Sequence, residues 1–242
     1  MTVSVYIFGN FGSGYTQYPY DYSHGIFDMF QQNIQDITQI AIHRDNDLMY
    51  YGYLRKLDTE KYIGICAVVN DKIVADINRL FTMFEETIEL MVSNGYLIYF
   101  GNNGEITSHV NLLYENNEEI AVIATHIQSV FDGVEPVFQD LPPVNYSVSK
   151  DSIQSFSWQD ENNRIVTSSY TNGWTFIHKS KEYDTFQINN IKGVLIRKES
   201  ELKILEHECQ KLRNKISFYK KLFIYTLILI VLIAVLLALG VF

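Results

Sequence analysis

The chain has 242 residues, 47% of them hydrophobic, which is enough to fill the core of one large domain or two smaller ones and excludes a disordered segment. Its net charge of −9 divides unevenly: residues 1–190 hold 10 Lys+Arg against 24 Asp+Glu, and residues 191–242 hold 9 against 4. An acidic body repels phosphate backbones, which argues against nucleic acid as a partner, and two cysteines, Cys66 and Cys209, are too few for a disulfide framework and fit a reducing compartment.

Residues 3–8 alternate Val3, Val5 and Ile7 with Ser4, Tyr6 and Phe8 and read as a strand. Asn10, Gln17 and Asp21 interrupt the first apolar run, so no secretory signal is expected. After the strand comes Gly9-Asn10-Phe11-Gly12-Ser13-Gly14. A Walker phosphate loop needs a lysine and then a hydroxyl residue after its last glycine, to neutralise phosphate and hold magnesium, but Tyr15 and Thr16 stand there. The Rossmann spacing fails as well, because no apolar helix starts at the third glycine. The glycines are read as a turn.

That turn leads into Tyr15, Tyr18, Tyr20 and Tyr22, with Pro19 among them. Three of these alternate and would share one face of an extended segment. Two readings stand: a partner-binding surface, or packing against the sheet.

The segment 24–34 places Ile26, Phe27, Phe30 and Ile34 on one helical face, and strand-like runs 37–43 and 48–57 flank the turn Arg44-Asp45-Asn46-Asp47. Tyr62–Val69 is apolar throughout and predicts a central strand covered on both faces. A helix over 75–93 follows, with Asp76 as its cap and Asn94-Gly95 as its stop; a hairpin then turns at Gly101-Asn102-Asn103-Gly104, and a second helix spans 118–132. These elements predict an α+β domain over 1–139, an antiparallel sheet packed by helices.

Pro142 and Pro143 mark a linker at 140–145. Beyond it, 153–158, 164–171 and 174–179 are rich in β-branched and aromatic residues, and Asn172-Gly173 is a hairpin signal, so 146–187 is read as a small β-meander.

From 188 to 221 the apolar residues repeat in sevens. Ile188, Leu195, Leu202, Cys209 and Ile216 occupy one position, and Ile191, Leu205, Leu212 and Tyr219 the position three later, with Lys198 as the exception. This predicts a coiled-coil stalk, with an amphipathic helix lying on its own domain as the other reading. In a parallel homodimer Glu201 would oppose Glu206 while Glu208 would attract Arg213, so charge favours neither a homo- nor a hetero-oligomer. Gly193 weakens the first turn, and a rod from Val194 to Lys221 would be roughly 40 Å long.

The residues 222–242 carry no charge and would span roughly 30 Å as a helix, the thickness of a bilayer core. Arg213, Lys215, Lys220 and Lys221 precede this span, so the positive-inside rule puts the body in the cytosol and predicts a tail-anchored, single-pass membrane protein.

Motifs of catalysis are missing. His24, His43, His109, His126, His178 and His207 are dispersed without metal-ligand spacing on one helix, His43-Arg44-Asp45 lacks the asparagine of a kinase catalytic loop, and there is no G-x-S-x-G elbow. No catalytic residue, cofactor site or metal site is assigned, and a non-enzymatic protein is expected. An α+β domain, a heptad helix and a terminal span resemble, in this order, the longin-type vesicle-fusion SNARE proteins in overall layout, and bacterial single-pass membrane proteins of unknown role equally. The first resemblance implies a trafficking protein, although no central Arg or Gln layer can be placed in these heptads. The expected function is recruitment or sensing on the cytosolic face of a membrane; the alternatives are an effector that disrupts the bilayer on oligomerisation and an enzyme whose site is scattered in sequence.

Overall fold

The computed structural model describes residues 3–35, 37–133, 138–144, 148–169 and 171–238. Residues 239–242 of the predicted span, Asn145 of the linker, residues 146–147 of the meander and Tyr170 of its second strand lie outside the described residues. The chain divides into two units, Met1–Ile191 and Lys192–Phe242.

The first unit is built on β1 (Val3–Asn10), β2 (Tyr15–Tyr18), β3 (Thr38–Asp45), β4 (Leu48–Lys56) and β5 (Tyr62–Asn70), with β10 (Ile153–Ser157) and β11 (Trp174–Lys179) added from later in the chain. They form one seven-stranded sheet in the order β10-β11-β3-β4-β5-β1-β2. Only β10 and β11 run parallel; every other neighbouring pair is antiparallel. β5 is buried from Tyr62 to Val69, as its unbroken apolar run requires. Two small ribbons complete the strands: β6 (Lys72–Val74) pairs with β9 (Phe138–Asp140), and β7 (Ile98–Phe100) with β8 (Ile106–Ser108).

Because side chains alternate along each strand, the sheet supports two cores. On one face Ile40, Ile42, Tyr53, Ile63 and Ile65 meet α2 (Ile77–Asn94) through Leu80, Phe84 and Ile88, and α3 (Asn117–Asp132) through Ile123, Ile127 and Phe131. On the other, Phe8, Ala41, Tyr50 and Phe176 take Phe27 and Phe30 of α1 (His24–Gln32). Each of the Ile, Leu and Phe side chains among these, fully buried, contributes about 1.5–3 kcal/mol. Asp76 caps α2 by accepting from the Arg79 amide at 3.1 Å, and the helix ends at Gly95, as the sequence predicts.

The structure differs from the sequence reading at 146–187. Residues 164–169, read as strand, belong to helix α4 (Asn162–Ser169), which joins two parallel strands of the main sheet, so the segment is not a separate meander. Tertiary contacts override β-branched propensity here. Ile165 and Val166 are buried in the first core, and Asn162 ties the start of α4 to α2 by donating to the Ala75 carbonyl at 2.8 Å and accepting from the Ile77 amide at 3.0 Å. Gly173 serves close approach, not a hairpin: a Cβ there would lie 2.6 Å from the Ser152 carbonyl oxygen.

The last helix, α5 (Thr185–Ala238), is 54 residues long. In the second unit every residue from Leu195 to Val235 is exposed.

Candidate functional site

The glycine loop is closed by its own side chain. Gly12 and Gly14 adopt φ of 122° and 97°, which favour glycine, and their amides donate to Asn10 Oδ1 at 2.9 and 3.3 Å. Those amides are the groups a phosphate would need, and the loop reverses β1 into β2, as the turn reading expects.

The four tyrosines part company beyond this turn. Tyr15 is half-buried against the second core, its hydroxyl donates to Gln17 Oε1 at 2.8 Å, and burial pushes its phenol far above the ordinary value. β2 ends at Tyr18, and the alternation of an extended segment ends with the strand. Tyr18 is 39%, Tyr20 75% and Tyr22 79% exposed. Asp21 holds the backbone between the last two: Oδ1 accepts from the Ser23 amide at 2.8 Å and Oδ2 from the Tyr6 hydroxyl at 2.8 Å. Burial, then the Asp21 bond, push the Tyr6 phenol up to about 12. Three aromatic rings are thus presented to solvent from an anchored loop.

A second feature was invisible in the sequence. At the carboxyl ends of parallel β10 and β11 lies a cleft of about 440 Å³, lined by Gln35, Ser155, Ser157, Gln159, Ser180 and Glu182, with Trp158 and His178 in its wall. Ser180 donates to Glu182 Oε1 at 3.2 Å. The cleft presents both donors and acceptors at the edge of the sheet. Its residues come from three separated segments, so no spacing could reveal it. Among the described residues no group of three or more His, Cys, Asp or Glu could hold a metal ion.

On the α2 side of the sheet, next to Trp158, lies a cluster of paired charge. Arg55 of β4 pairs with Asp184 and donates to Gln187 Oε1 at 2.5 Å, and Lys179 of β11 meets Glu85 of α2 at 2.6 Å. Lys179 also lies over the rings of Phe81 and Trp158, 5.5 and 5.2 Å from their centroids. Burial opposes the Arg55 charge, but Tyr53 and Asp184 outweigh it and hold its pKa above the ordinary value. Burial pushes the Tyr53 phenol well up. These charges are paired inside the fold, which marks them as architectural.

The heptad residues all fall on α5. Ile188 and Ile191 are half-buried in the first unit, where Asn190 donates to the Gly104 carbonyl at 3.0 Å and Ile191 lies against Gly104. Leu195, Leu202, Leu205, Cys209, Leu212, Ile216 and Tyr219 are exposed. Among the described residues α5 is the one helix long and apolar enough to cross a membrane, and none of its most apolar stretch is buried. No protein-family model, no curated protein and no solved structure matches this chain.

Proposed function

We propose that the chain is a single-pass membrane protein whose α5 crosses the bilayer and whose first unit, on the cytosolic side, is a non-enzymatic module that recruits or senses a partner. The carrying observation is the exposed, uncharged run from Leu222 to Val235, whose apolar surface calls for lipid. Its one hydroxyl in a threonine, Thr226, donates back to the Leu222 carbonyl at 2.6 Å, which removes the cost of carrying it into hydrocarbon. Arg213, Lys215, Lys220 and Lys221 support the cytosolic side. Tyr18, Tyr20 and Tyr22 form the partner-facing surface, and the seam from Leu195 to Tyr219 pairs with a second helix, of this chain or another.

The test is made on membranes from cells expressing the full chain. Retention in the pellet through alkaline carbonate, with the first unit digested by protease added to the cytosolic face, is the expected result. Release by carbonate overturns the anchor, and protection of the first unit overturns its sidedness. A partner captured by the wild type and lost by Tyr20→Ser/Tyr22→Ser supports the tyrosine surface; equal capture removes it.

A further inference from the structure

The end of the soluble part of α5 carries a charge pattern that spanning does not require. From Cys209 to the end of the sequence there are five charged residues, Lys211, Arg213, Lys215, Lys220 and Lys221, and all are basic; the last acid is Glu208. All five are exposed, and among the described residues none of them is in an ion pair.

We propose that these five residues form a collar for anionic phospholipid headgroups, so that α5 gathers acidic over zwitterionic lipid in the bilayer it crosses. This rests on the spanning reading above. At about 100° per residue, with Lys211 at zero, Lys215 falls near 40°, Lys220 near 180°, Arg213 near 200° and Lys221 near 280°. The charges surround the helix. A helix lying in the interface gathers its cations on one face, whereas a ring of cations fits a helix standing through the headgroup layer.

The heights agree with this placement. At about 1.5 Å per residue, Lys220 and Lys221 lie within about 3 Å of Leu222, inside a headgroup layer of roughly 5–8 Å. Lys215, Arg213 and Lys211 stand about 10, 14 and 16 Å above Leu222, where long side chains and a Debye length of about 8 Å still bring them under the surface potential. Phe218, Tyr219 and Tyr225, exposed at 63%, 64% and 69%, sit at the same level, where aromatic rings fix the depth of a crossing helix. A basic residue at an anionic surface gains a factor of about five, so the proximal pair alone gives a several-fold preference.

The experiment uses the full chain in phosphatidylcholine vesicles carrying spin-labelled phosphatidylserine or spin-labelled phosphatidylcholine as a trace. Electron spin resonance reads the fraction of each label immobilised at the protein. A several-fold excess of immobilised phosphatidylserine, shrinking as salt is raised and abolished when all five residues are changed to Gln, is expected. The Lys220→Gln/Lys221→Gln variant loses most of the excess while keeping three charges, and the Lys220→Arg/Lys221→Arg variant keeps it. Equal immobilisation of the two lipids by the wild type at low salt overturns the proposal. Alkaline washing of the same vesicles separates the two failures: a released chain overturns the spanning reading, and a retained chain without preference overturns the collar alone.

Discussion

Arg55, near the end of the central strand β4, and Asp184, at the head of the last helix, form an ion pair in which both side chains are buried, 1% and 3% exposed. Asp184 is also the cap of α5: its Oδ1 accepts from the Gln187 amide at 3.3 Å and its carbonyl from the Ile188 amide at 3.0 Å. Arg55 therefore neutralises the carboxylate that starts the helix and binds the side chain one turn further on, through Gln187 Oε1. The first turn of α5 is thereby fixed to β4.

Removing one member of this pair leaves the other charge buried and uncompensated. Arg55→Met is expected to cost about 3–5 kcal/mol, and Arg55→Met/Asp184→Leu to recover a large part of that loss. Urea unfolding of the full chain in detergent, followed by tryptophan fluorescence, reads both, since Trp158 and Trp174 lie in the first unit. Additive losses would mean that the two residues do not act as a pair.

Gly64 of β5 is pressed against the ring of Phe8, which stacks on Phe27 with centroids 4.5 Å apart. A Cβ at Gly64 would lie 2.3 Å from the nearest atom of that ring. Gly64→Ala is expected to destabilise by about 1–3 kcal/mol, with Phe8→Leu in the same chain restoring part of it. Gly193→Ala, on exposed helix with nothing within 4 Å, is expected to stabilise α5 by up to about 1 kcal/mol. Thermal unfolding monitored by circular dichroism compares the two.

His43 stacks on Trp174 with centroids 3.8 Å apart, and its Nδ1 lies 3.2 Å from the Gly173 carbonyl oxygen; as a carbonyl only accepts, Nδ1 carries the hydrogen. Burial lowers its pKa below 6.5, against the opposing pull of the Gly173 bond and Asp45. The unfolded chain then binds this proton at a higher pH than the folded one. Its contribution to stability is full above 6.5, falls as pH drops from there towards the folded value, and is constant below it. His43→Phe, which keeps the stacked ring, should flatten that part of the profile in urea midpoints taken from about pH 7.5 to 5. Parallel wild-type and variant profiles would count against it.

Burial raises the Cys66 thiol well above its usual value, whereas Cys209 is exposed on α5. A maleimide should label Cys209 alone in the native chain and both thiols in denaturant, counted by mass. Mild oxidation tests the seam: two copies paired in parallel bring Cys209 to Cys209 and yield a disulfide-linked dimer, and an exclusively monomeric product under these conditions excludes that pairing.

Local signals were enough for much of the architecture. The β3–β4 hairpin, the unbroken apolar run of β5 and the cap and stop of α2 each lie within one short window, where side-chain period and turn chemistry act on neighbouring residues. The exposed apolar run of α5 was legible for the same reason, because length and composition alone define it. The segment 164–169 was not. Its β-branched residues favour strand, and it becomes α4 because Ile165 and Val166 find a core and Asn162 finds the backbone at Ala75 and Ile77, 87 and 85 residues away. The parallel pairing of β10 with β11, the cleft at their ends, and the separation of Tyr15 from Tyr18, Tyr20 and Tyr22 likewise depend on which distant groups the fold brings near. Arg55 and Asp184 are 129 residues apart, and no pattern in the chain couples them; only burial, which makes an unpaired charge so costly, decides that they meet.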